Sequence, residues 1–120
     1  MRHLTFDDAV SALRRGRVVD QLIEIAPAYG TTVIRYVSVT PTKEGSFDVS
    51  LIERFDEGRP DFLDVYAFSY VDPDPPHGST ENFLAPGEAL AYAQNELGCS
   101  SDKFVNEGVI QDEYRDRKFG

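Results

Sequence analysis

The chain has 120 residues, a formal net charge of −9, one cysteine and no tryptophan; 41% of it is apolar and 12% aromatic. This is length for one domain spanning 1–120, and eight Phe and six Tyr supply core material that a disordered chain lacks. No apolar run approaches the roughly 18 residues that cross a bilayer, the first eight residues lack the apolar stretch of a signal peptide, and Cys99 has no second cysteine to pair with, so the reading is a non-membrane protein of the reducing cytoplasm.

The charge is uneven. Residues 1–60 carry eight Lys/Arg against nine Asp/Glu, whereas residues 61–120 carry four against twelve. Between Asp61 and Glu113, Lys103 alone opposes eleven acids. Such a surface repels the phosphate backbone of nucleic acid and attracts a basic protein. The plainer role of the same charge is to keep the protein soluble.

In chain order, Thr5-Phe6-Asp7-Asp8 has the form of a capping box, and Phe6, Ala9, Val10 and Leu13 follow at helical spacing. Arg14, Arg15 and Arg17 suit the negative end of that helix, and Gly16 stops it. The run 18–25 reads as a strand, with continued helix as the alternative, and 31–39, dense in Thr, Val, Ile and Tyr, reads as a second strand. Turn residues at 41–45 lead to a third, in which Phe47, Val49, Leu51 and Phe55 alternate with Asp48, Ser50 and Arg54. After a turn at 56–60, the run 62–71 is apolar on both alternating faces and predicts a strand interior to the sheet. The short turns make these strands an antiparallel meander.

Asp72-Pro73-Asp74-Pro75-Pro76-His77-Gly78 is expected to end the sheet, because proline cannot serve a ladder. Residues 88–97 then form a helix, with Pro86 near its first turn, Gly98 at its stop and Leu90, Ala93 and Leu97 as its apolar stripe. From Cys99 onward an irregular segment with a turn or two of helix should dock through Phe104, Val105, Val109, Ile110 and Tyr114.

Few residue patterns carry chemistry. Asp72, Asp74 and His77, with Glu81 nearby, are the weak candidates for a metal site, but Asp-Pro pairs are ordinary turn formers and the spacing matches no calcium loop. The expectation is therefore no metal and no cofactor. Cys99 lacks an electropositive setting for a nucleophile, and no hydrolase, zincin or phosphate-loop motif is present. Glu53 shares a strand face with Phe47, Val49 and Leu51, which suggests a half-buried carboxylate and general acid or, more simply, an ion pair with Arg35. Asp112 and Glu113 read as solvated. Tyr66, Phe68 and Tyr70 alternate like an RNA-stacking platform, but their neighbours are Asp64, Asp72 and Asp74, so core packing or a protein contact suits them better.

These features predict an α+β fold: an N-terminal helix, an antiparallel meander of three to five strands, a C-terminal helix packed on the sheet and an irregular docked tail. Helix–three strands–helix is also the order of the double-stranded-RNA-binding fold, whose function the acidic second half opposes. In size and charge alone the chain is similar to bacterial immunity proteins and antitoxins, which implies a small non-catalytic module that binds a basic protein partner. The acids outside the core, Asp72, Asp74, Glu81, Glu88 and Glu96, would meet that partner, with Tyr66, Tyr70 or Tyr92 as apolar anchor. The alternatives are a small-ligand or metal-assisted enzyme built on the Asp72–Glu81 loop, and a homodimer paired through a strand edge.

Overall fold

The computed structural model describes residues 2–71 and 79–120. Among them run α1 (Phe6–Arg14), β1 (Val19–Ala28), β2 (Thr31–Pro41), β3 (Phe47–Phe55), a 3-10 turn (Val65–Ala67), β4 (Ser79–Phe83), α2 (Pro86–Leu97), β5 (Val105–Asn106) and α3 (Ile110–Lys118). The five strands form one antiparallel sheet in the order β4-β3-β2-β1-β5, so the fold is α+β. Among the described residues no helix is long and apolar enough to cross a membrane.

Local chemistry explains most boundaries. The Thr5 hydroxyl accepts from Asp8 N at 3.1 Å, capping α1, and Gly16 and Gly98 take the positive φ values, +81° and +80°, that end α1 and α2. Tyr29 and Gly30, at φ 54° and 77°, form the two-residue turn between β1 and β2, a hairpin geometry matched to strand twist. The β1–β2 register shifts between Leu22 and Glu24. That bulge lets Leu22 and Ile25, three residues apart, pack into one apolar cluster, while Glu24 comes opposite Arg35.

Both faces of the sheet are covered. On the first, Val19, Val37, Val39 and Val49 pack beneath α1 and α2 through Ala9, Ala12, Leu13, Ala89, Leu90 and Ala93. On the second, Leu22, Ile34, Tyr36 and Ile52 meet Val65, Phe68, Ile110 and Tyr114, contributed by the 3-10 turn and α3.

Several expectations are corrected. Residues 62–71 are not a strand: they hold the 3-10 turn and make only isolated bridges, Arg59 with Phe62 and Arg54 with Tyr70. Asp64 accepts from Tyr66 N at 3.1 Å and stabilises a turn where an extended chain was expected. The segment is apolar because it lids the second face, with Val65 and Phe68 buried and Ala67 and Ser69 exposed. The sheet also does not end before residue 72. A fourth strand, Ser79–Phe83, pairs with β3 through Phe47–Phe83 and Val49–Glu81; its polar, short sequence carries little strand propensity and owes its form to that pairing. The tail is more regular than expected, because α3 begins just past Gly108 (φ +91°) and runs nine residues. Phe104, Val105, Ile110 and Tyr114 are fully buried as expected, whereas Phe6 of α1 is exposed.

Candidate functional site

The structure divides the residues expected to bind a partner between two places. Glu88, Tyr92 and Glu96 follow at i, i+4 and i+8 on α2, so they form one stripe of that helix. Tyr92 packs on Phe83 at 5.0 Å between ring centroids, which turns this stripe toward β4, the outer strand of the sheet. Glu81 stands on β4 opposite Val49, on the same helix-bearing face. Glu81, Glu88 and Glu96 are exposed and make no ion pair among the described residues. Leu84, between β4 and α2, is 84% exposed, the most exposed large apolar side chain described. From 79 to 102 the sequence holds no Lys or Arg. The result is an acidic surface along the outer strand of the sheet, carrying one bare leucine.

Tyr66 and Tyr70 lie on the opposite face of the sheet, among the second apolar cluster. The Tyr66 hydroxyl donates to Asp20 Oδ2 at 2.6 Å and accepts from Gly108 N at 3.0 Å, tying the 3-10 turn to β1 and to the loop before α3. Asp20 is fully buried, and its Oδ1 has no hydrogen-bond partner among the described residues. Burial pushes this carboxyl above its ordinary value, against the opposing hydrogen bonds from Tyr66 and Ser38. Burial, with the Asp20 charge beside it, also pushes the Tyr66 phenol up, so it stays a donor.

Next to this pair is Arg54, only 6% exposed. Its Nε donates to Tyr36 Oη at 2.8 Å, one terminal nitrogen to the Phe68 carbonyl at 2.6 Å and the other to Tyr70 Oη at 2.9 Å. Its guanidinium carbon lies 4.0 Å from the centre of the Tyr70 ring. No carboxylate pairs with Arg54 among the described residues.

The remaining candidates find structural partners. Arg35 donates through Nε to Glu53 at 2.7 Å and through a terminal nitrogen to Glu24, so Glu53 belongs to a cross-strand ion pair. Cys99 is buried beyond α2, where burial pushes its thiol up to about 12, far from nucleophile chemistry. Glu113 corrects the expectation of a solvated carboxylate: it is buried, bonded to His3 and 3.6 Å from Arg2. Asp112 is exposed and lies 3.7 Å from Arg115. Asp72, Asp74 and His77 lie outside the described residues, and among the described ones no three His, Cys, Asp or Glu are grouped to hold a metal ion.

Sequence reasoning missed Arg54, Asp20 and Leu84. Arg54 sits in the polar half of an alternating strand, which marks it as solvent-facing unless a further layer covers that face. The available signal was the apolar run 62–71, which is that layer. No protein-family model, curated protein or solved structure matches the chain.

Proposed function

We propose that the chain is a non-catalytic protein-binding module of the cytoplasm that meets a basic protein through the acidic surface along β4 and α2. Neutralisation of a basic toxin, in the manner of bacterial immunity proteins and antitoxins, is its most concrete form. The observation that carries the reading is the convergence of Glu81, Glu88 and Glu96, none of them ion-paired among the described residues, beside Leu84 and the outer edge of β4, which pairs with no further strand among the described residues. Like charge gathered on one side speeds encounter with a basic partner, and an apolar side chain at its rim supplies contact area. An open strand edge also offers backbone groups to a partner's strand. Pairing of two copies through β4 is the weaker option, because an antiparallel arrangement centred on this strand sets Glu81 against Glu81.

The test is kinetic. A partner captured from native lysate is identified and its association rate measured at low and high salt. Replacing Glu81, Glu88 and Glu96 by Gln should slow low-salt association on the order of tenfold and flatten its salt dependence. Unfolding free energy should stay within about 0.5 kcal/mol of the parent. The control, Asp7→Asn with Asp8→Asn on α1, should leave the rate unchanged. An acidic partner, or a rate indifferent to the triple replacement, refutes the proposal.

A further inference from the structure

Beyond the acidic surface, the second face of the sheet carries a trough that the 3-10 turn and α3 leave uncovered. Across the sheet, Asp20, Ser38, Ser50 and Thr80 stand in one directly paired row, small polar residues where the neighbouring row has Leu22, Tyr36 and Ile52. Above this floor is a cavity of about 230 Å³, with Arg54 and Tyr70 among its walls and Glu107 also on its lining. That volume suits a molecule of a few heavy atoms.

Two features of this trough have no structural use among the described residues. A guanidinium has five N–H groups, and Arg54 spends three, on Tyr36, the Phe68 carbonyl and Tyr70. Two N–H groups therefore have no acceptor among the described residues, and the charge is met there by hydroxyls, a carbonyl and the Tyr70 ring rather than by a carboxylate, although a buried charge without a counter-ion is costly. Glu107 is exposed and has no ion pair among the described residues. The two charges are opposite in sign and line one hollow. The same hollow is lined by the hydroxyls of Ser38 and Ser50; Ser50 Oγ lies 3.0 Å from Thr80 Oγ1, and where Thr80 donates to it the Ser50 proton is left to donate onward.

We propose that this trough binds a small amino-carboxylic acid, its carboxylate received by the two spare Arg54 N–H groups with the Ser50 hydroxyl, and its ammonium turned toward Glu107. The planar fork of arginine matches a carboxylate. Glu107 adds negative potential that disfavours a doubly charged phosphate. The site is independent of the acidic surface on β4 and α2, so either can fail without the other.

The experiment titrates the whole chain with β-alanine, propionate, propylamine and inorganic phosphate, each to about 50 mM, the range of weak small-ligand affinity, reading amide chemical shifts. The expected result is saturable shifts at Ser38, Ser50 and Tyr70, tightest for β-alanine, weaker for propionate, and absent for propylamine and phosphate. Ser50→Ala should weaken β-alanine binding by more than about tenfold, as loss of one hydrogen bond to a charged group does. Glu107→Gln should abolish the preference for β-alanine over propionate. Both residues are half-buried or exposed, so these variants keep the fold even where Arg54→Lys does not. No saturable shift with either carboxylate, equal binding of phosphate, or affinities unchanged in both variants overturns the proposal.

Discussion

On the first face of the sheet, valines from three strands lie under two helices whose inward residues are largely alanine and leucine. Small side chains let those helices approach closely, and the polar group buried there, Gln21, is satisfied by a two-way amide clamp on the Ser100 backbone at 2.9 and 2.7 Å. The second face is covered by a 3-10 turn and α3, and its buried layer mixes Tyr36, Phe68 and Tyr114 with the polar groups of Arg54 and Asp20. A regular helical cover satisfies its own backbone and needs only apolar contact. An irregular cover leaves carbonyls such as that of Phe68 to be met by side chains, and Arg54 meets it. The second face therefore holds aromatic packing and polar capacity together, which is where spare hydrogen-bonding groups remain.

Truncation tests this contrast most strongly. Phe68 touches Phe62 and Tyr114 edge-on, at 5.3 and 5.6 Å between ring centroids, and is 2% exposed. Phe68→Ala should lose about 3–5 kcal/mol in chemical denaturation, at least as much as Leu90→Ala on the first face at about 2–5 kcal/mol. A loss below about 1 kcal/mol at Phe68 would mean that the 3-10 cover is not part of the cooperative core.

A smaller effect is expected at Gly58, where a Cβ would lie 1.8 Å from the Tyr114 hydroxyl. That hydroxyl bonds Asp56 at 2.5 Å, so it has little freedom to retreat. Gly58→Ala should cost about 1–3 kcal/mol, as overpacking does, read as a lowered melting temperature. An unchanged melt would show that α3 rides loosely on the second face.

The smallest effect is one of pH. Burial raises the Asp20 carboxyl above its ordinary 3.8, so over a window above that value the folded chain keeps a proton that the unfolded chain releases. The stability this group contributes is full below the unfolded value and is lost as pH rises through the folded one. Asp20→Asn has no proton to lose, and its side-chain oxygen can still accept from Tyr66. Its stability relative to the parent should therefore rise as pH increases above about 4, measured by denaturation at several pH values. A difference that stays flat with pH would place the Asp20 carboxyl at its ordinary value and remove one polar peculiarity of the second face.

Much of this was legible along the chain. The caps at Thr5, Gly16 and Gly98 and the alternation of Phe47 through Phe55 follow from local stereochemistry and from the two-residue period of a strand, both properties of neighbouring residues, and the pairing of Arg35 with Glu53 follows once a short turn sets β2 and β3 antiparallel in this register. The acidic stripe of α2 was legible too, since helical spacing puts Glu88, Tyr92 and Glu96 together. Tertiary structure decided the rest. Strand or turn for 62–71 depended on whether Asp64 could cap a lid over Tyr36 and Ile52, and strand form for Ser79–Phe83 depended on pairing with β3. Which polar residues of β1 and β3 became buried depended on what covered the second face: the same alternation that reads Arg54 as exposed buries it once Phe68 and Tyr70 lie across it. Period specifies which side of a strand a residue takes, but only the packed layers specify which side is water.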